Sequence, residues 1–154
     1  MDRIFETLKS FLCSNVNSEL EEMEGESLSI PAINAQFVKF GTVDVTKLKS
    51  RVIVSILPES QEEEEGDTAD YRLSNRFLVT FISSGDEASR LLKRCCRYAE
   101  AFRLALLKSP DLDGEVEECG IGKRTFYPDA GTTEGQLSAV EIELTVFTEA
   151  EPDF

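Results

Sequence analysis

The sequence predicts an α+β fold: a two-layer sandwich with a mostly antiparallel sheet, in the order α-β-β-β-α-β-β, and helices packed on one face. Three patterns carry that prediction. From Asp86 to Lys108 apolar residues recur at the helical period, with Ala88, Leu91, Leu92, Cys95, Ala99, Phe102 and Leu106 forming one stripe. From Gln136 to Phe147, Val140, Ile142, Leu144 and Val146 alternate with Glu141, Glu143 and Thr145, the two-residue period of a strand with one wet face. Between them in kind, Val52, Ile53, Val54 and Ile56 form a compact β-branched run. A chain of 154 residues buries enough surface to fold as a single domain, 1–154, around one core.

The elements follow in order. Ile4, Phe5, Leu8, Phe11 and Leu12 make Asp2 to about Ser14 a short amphipathic helix that needs a sheet to pack on. Glu19 to Glu26 reads as an acidic linker. Ile30 to Phe40 reads as an extended segment whose Pro31 marks an edge or a bend. Arg51 to Leu57 is the next strand, stopped by Pro58. The consecutive acids from Glu59 to Asp70 repel one another and show no apolar period, so they are expected to form a mobile loop joining two antiparallel strands. Tyr71 to Ser83 is apolar on both faces toward its end, as a central strand is, and Ser83-Ser84-Gly85-Asp86 supplies the turn into the long helix. Glu115 to Tyr127 and Gln136 to Phe147 form the closing pair around the turn-rich stretch from Pro128 to Gly135. Gly120-Ile121-Gly122 lacks the context of a phosphate loop and is read as a β-bulge.

Composition narrows the chemistry. There is no histidine, so the usual Ser-His and Cys-His nucleophilic pairs are excluded, and an enzyme is not expected. Cys13, Cys95, Cys96 and Cys119 lack paired CxxC spacing, which leaves free thiols and neither a metal site nor another cofactor. A net charge of −14 opposes broad phosphate contact, so no sequence-specific nucleic-acid partner is expected. The chain offers neither a membrane-spanning apolar run nor a secretory signal, and is expected in the cytosol. Arg72 and Arg76 share a strand face and are expected to pair with Glu141 and Glu143.

The distribution of charge is the feature that points to a partner. Arg90, Lys93, Arg94, Arg97 and Arg103 fall mostly opposite the apolar stripe of the long helix, whereas the compensating acids gather in the two loops. A basic face on one copy would then meet an acidic loop, Glu62, Glu63, Glu64, Glu65 and Asp67, on the next. The simpler alternative is that all these charges are solvated surface that keeps the protein soluble.

Three parts of the layout carry a family resemblance. They are the helix Arg3-Ile4-Phe5-Glu6-Thr7-Leu8-Lys9-Ser10-Phe11-Leu12, the long-tipped hairpin from Arg51 to Ser83, and the long helix followed by the closing strand pair from Glu115 to Phe147. Together they resemble the tail terminator (tail completion) family of long-tailed bacteriophages and prophages. The resemblance implies a ring of about six copies on the end of the tail tube that stops its polymerisation and presents the head-attachment surface. It implies as partners a second copy, the tail tube protein and the head-tail connector proteins, in a virion assembled in the host cytoplasm. The acidic loop would order against tube or neck, or line the lumen and repel passing DNA. Related neck proteins, such as head completion and minor capsid proteins, share the layout. Outside phages, the alternatives are an α+β module binding a small ligand or peptide, and an acidic mimic of DNA.

Overall fold

The computed structural model describes residues 1–23, 29–43, 52–65, 71–128 and 136–149. Its elements are α1 (Asp2–Phe11), a π-helical segment (Leu12–Val16), α2 (Asn17–Glu22), β1 (Val38–Phe40), β2 (Val52–Glu65), β3 (Tyr71–Ser84), α3 (Ala88–Lys108), β4 (Glu118–Tyr127) and β5 (Leu137–Glu149). The five strands form one sheet in the order β1-β2-β3-β5-β4, antiparallel except for the short parallel pair β1·β2. The α+β class, the element order and the stacking of both helical segments on one sheet face agree with the sequence prediction.

The core lies between that face and the helices. Val54, Ile56, Phe77, Val79, Phe81, Val140, Ile142, Leu144 and Val146 point toward Leu8, Leu12, Val16, Cys95, Ala99 and Phe102. At its centre Phe81 is stacked on Tyr98, with centroids 5.6 Å apart and planes 5° from parallel, and meets Phe102 edge-on at 5.8 Å. The Tyr98 hydroxyl donates to the Pro31 carbonyl at 2.6 Å, which ties the segment before β1 to α3.

The first helix is longer than expected. Its backbone stays helical through the π segment to Glu22, because Leu8, Leu12, Val16 and Leu20 continue the buried stripe at four-residue intervals. Glu19 to Glu22 therefore belong to a helix and not to an acidic linker; Glu24 and Glu26 lie outside the described residues. Asn17, at the junction, accepts from the Ile33 N–H and donates to the Ile33 and Cys13 carbonyls at 2.8–2.9 Å. The predicted strand from Ile30 to Phe40 is reduced to Val38–Phe40, preceded by a 3-10 turn over Ala35–Phe37 that Asn34 caps by accepting from the Gln36 N–H.

The largest correction concerns Glu59 to Asp70. Pro58 does not stop β2: it sits at a register shift between Pro58 and Ser60, beyond the end of β1, where β2 is the edge of the sheet and a missing N–H is tolerated. Glu59 to Glu65 then continue as strand along β3, which β5 holds from its other side. Arg72 supplies the compensating charge, 3.4 Å from Glu64, and lies over the Phe147 ring. Neither Arg72 nor Arg76 faces the expected glutamates, for Glu141 is opposite Thr80 and Glu143 opposite Leu78. The fully buried Asn75 accepts from Gln61 at 2.6 Å and donates to the Val146 carbonyl at 2.9 Å, locking the extension to the sheet. Asp67 and Asp70 lie outside the described residues, as do Arg51 and the turn from Asp129 to Gly135.

β4 starts at Glu118, three residues later than expected. The preceding stretch turns through Leu112, Asp113 and Gly114, all at positive φ, with the Leu112 side chain buried as an anchor. The expected bulge is present as a register shift between Ile121 and Arg124, where the Lys123 N–H donates to Glu143 at 3.3 Å.

Truncating the central aromatic, Phe81→Ala, is expected to cost about 3–5 kcal/mol in chemical denaturation, since it empties the site between Tyr98 and Phe102. A loss under about 1 kcal/mol would contradict this placement of the core.

Candidate assembly surfaces

The long helix does not present its basic residues as one face. Arg94 lies three residues after Leu91 and four before Tyr98, so the helical period carries it inward, and only 9% of its side chain is exposed. It donates to Asp86 at 2.7 Å, and Arg90 approaches the same carboxylate at 3.6 Å. The Arg94 Nε is buried with no hydrogen-bond partner among the described residues, so Asp86 is the group that makes this cation tolerable. Asp86 is held in place by accepting the Glu87 N–H at 2.7 Å, in the turn that Gly85 opens at positive φ.

The other helix charges are also drawn into contacts within the chain. Arg103 makes a two-pronged contact with Glu100, at 2.7 and 3.0 Å, and that hydrogen bond holds the Glu100 carboxyl below its ordinary range. Lys108 bridges Glu19 and Glu22 of α2, and its hydrogen bond to Glu19 raises its own pKa. Arg97 is half-buried, and Lys93 is exposed. Ala88, assigned to the apolar stripe, is exposed as well, whereas Tyr98, Ala101 and Ala105 complete the buried side.

The acids counted as a loop lie on a strand edge. Glu62 and Glu63 are exposed, Glu64 is half-buried against Arg72, Glu65 ends β2, and Asp67 lies outside the described residues. Alternation in β2 sends Glu62 and Glu64 to the sheet face away from the helices, and sends Glu63, opposite Leu73, to the helix side.

The opposite edge, β4, has a feature the sequence reading passed over. Arg103, Leu106, Leu107 and Pro110 from the end of α3 face Ile121 and Arg124 of β4 across an open groove. Leu107 is 65% exposed, and Arg124 points out of the strand. The signal was present as a leucine one position off the buried stripe and as Lys123-Arg124 in the middle of a strand whose other charge is Glu118 at its start. Further along β4, Phe126 and Tyr127 are 41% and 43% exposed.

Two of the thiols are held away from nucleophilic reactivity. Burial pushes the thiols of Cys95 and Cys119 up to about 12, far from the reactive thiolate. Among the described residues no group of three or more His, Cys, Asp or Glu is placed to hold a metal ion, and no helix is long and apolar enough to cross a membrane.

No protein-family model matches the chain, and no curated protein matches it. Among solved structures, a chain from the virion of a native gene transfer agent particle is similar, at 14% identity and a TM-score of 0.48 over 90% of this chain and 95% of that one.

The Asp86 carboxyl is held below its ordinary value, first by the Glu87 N–H and then by Arg94 and Arg90. A depressed folded-state pKa contributes stability that is present above the unfolded value of about 3.9 and is lost as pH falls through the lower folded value. Asp86→Asn is therefore expected to lower Tm at neutral pH more than Lys93→Ala does, and to flatten the acid limb of the stability profile. Equal losses for the two variants, with an unchanged acid limb, would contradict this role for Asp86.

Proposed function

We propose that this chain is a non-catalytic structural subunit of a phage-like virion, acting as a tail terminator: a ring that caps the tail tube, halts its growth and receives the head-tail connector. The observation that carries this reading is the one-sided sandwich. Both helical layers cover one sheet face, and the paired ends of β2 and β3 continue the sheet past the core, from Asn75 to the exposed Glu63. Each of β2 and β3 is about 45 Å long, so the sheet reaches well beyond what the helices need for burial.

The exposed part of the second face, away from the buried Ile82, Leu137 and Ala139, and the two sheet edges are then available to neighbouring copies and to the tube. The proposed partners are a second copy, the tail tube protein and the connector proteins, within the tail or neck of the particle. The basic helix is not proposed as the meeting surface in the form expected from sequence. Arg94 is part of the fold, so reversing it would unfold the chain before it tested assembly.

Electron microscopy of the purified chain, alone and mixed with polymerising tail tube protein, tests the reading. Rings with an open centre, and tubes of shortened length carrying the chain at one end, are expected. Tubes of unchanged length, with the chain neither on their ends nor in rings, would overturn it.

A further inference from the structure

We infer that the groove at the β4 edge is filled by a second copy of this chain, which inserts the acidic β2 edge of its own sheet. This rests on the ring reading above and names the two surfaces that meet. The sheet order puts β4 at one edge and β2, beyond the three residues of β1, at the other. One edge carries Arg124, and Arg103 in its pair with Glu100, around the exposed Leu107; the other carries Glu59, three residues past Ile56, the partner of Phe40, and Phe40 itself is 45% exposed.

Two different surfaces at opposite edges of one subunit are what a head-to-tail contact requires, and such a contact closes into a ring when each step adds a rotation. The faces agree as well. Glu63 lies on the helix side of β2, and Phe40, opposite Ile56, lies on the helix side of β1. Ile121 and Arg124 lie on the helix side of β4, opposite Leu144 and Ile142. Two sheets set edge to edge with their helical layers on the same side therefore place Glu59, next to Pro58 at the level of Phe77 and Leu144, beside Ile121 and the groove, and Phe40, at the level of Ile56, Val79 and Ile142, beside Arg124, without inverting either subunit.

Glu59 on one edge and Arg124 at the groove on the other are of opposite charge, while the chain as a whole is strongly acidic. Local attraction selects this pair of edges over an acidic edge meeting its own copy, and the apolar residues supply contact area. The register shifts in both edge strands, Pro58/Ser60 in β2 and Ile121/Arg124 in β4, interrupt the rows of free backbone groups that would favour open-ended pairing.

A complementation experiment tests the contact. Glu59→Lys and Arg124→Glu are purified separately, checked for wild-type circular dichroism, and sized by light scattering alone and mixed. Each variant alone is expected to lose self-association by at least about tenfold in the midpoint concentration, and the equimolar mixture to regain it, because the reversed groove of one then faces the reversed edge of the other. Leu107→Asp, at an exposed position, is expected to weaken association without affecting folding. A wild-type chain that assembles while the variants assemble equally well, or while their mixture gains nothing, overturns this contact and leaves the ring reading standing. A wild-type chain that stays monomeric, alone and on tubes, overturns both.

Discussion

The seating of α3 on the middle of the sheet, with Phe81 between Tyr98 and Phe102, is the contact on which every other surface depends. It fixes which side of the sheet is covered. Because α1 and α2 pack beside α3 on that same side, the main core is built there; the other sheet face carries a smaller buried cluster, Ile82, Leu137 and Ala139 with Val43 against it, and is elsewhere a mixture that includes Thr80, Glu141 and Thr145. The hydroxyl of Tyr98 extends the constraint to Pro31, and thereby sets where β1 meets β2. The position of each sheet edge, and so of each charged surface, follows from one buried aromatic cluster.

Much of this was legible in the sequence where a single period dominated. β5 and most of α3 have clean alternation or a clean stripe, and their predicted and observed extents differ by a few residues at the ends. The extension of the first helix was also readable, since Val16 and Leu20 continue the spacing from Leu8 and Leu12, but the run of glutamates drew the reading toward a linker although glutamate is a good helix former. The end of β2 was not readable from local pattern. Pro58 and consecutive glutamates both argue against strand, and what overrules them is tertiary: β3 provides a long template, Arg72 neutralises Glu64, and Asn75 anchors Gln61.

The candidate site shows the same division. Helical periodicity separates apolar from basic residues only coarsely. Arg94 falls on the buried side because Asp86 waits for it in the preceding turn, a pairing that depends on how Gly85 directs the chain. Asp86, Glu100, Glu19 and Glu22 take up much of the positive charge of the helix, so the charge contrast open to the proposed contact lies mainly with Arg124 and Glu59 at the sheet edges. Exposed ion pairs are each worth only about 0–1 kcal/mol, and copies of net charge −14 repel one another at a distance. A ring closed through the proposed contact would therefore draw on Phe40 and Leu107 as well as on charge, and would be sensitive to loss of either kind of contact.

The most direct measurement is the mass of the wild-type chain by sedimentation equilibrium over a wide range of concentration. Head-to-tail association that closes on itself predicts a mass that rises from 17.2 kDa and levels off at one fixed small multiple of it. A mass of one chain at every concentration, or growth without a plateau, would contradict a closed ring built from the two sheet edges.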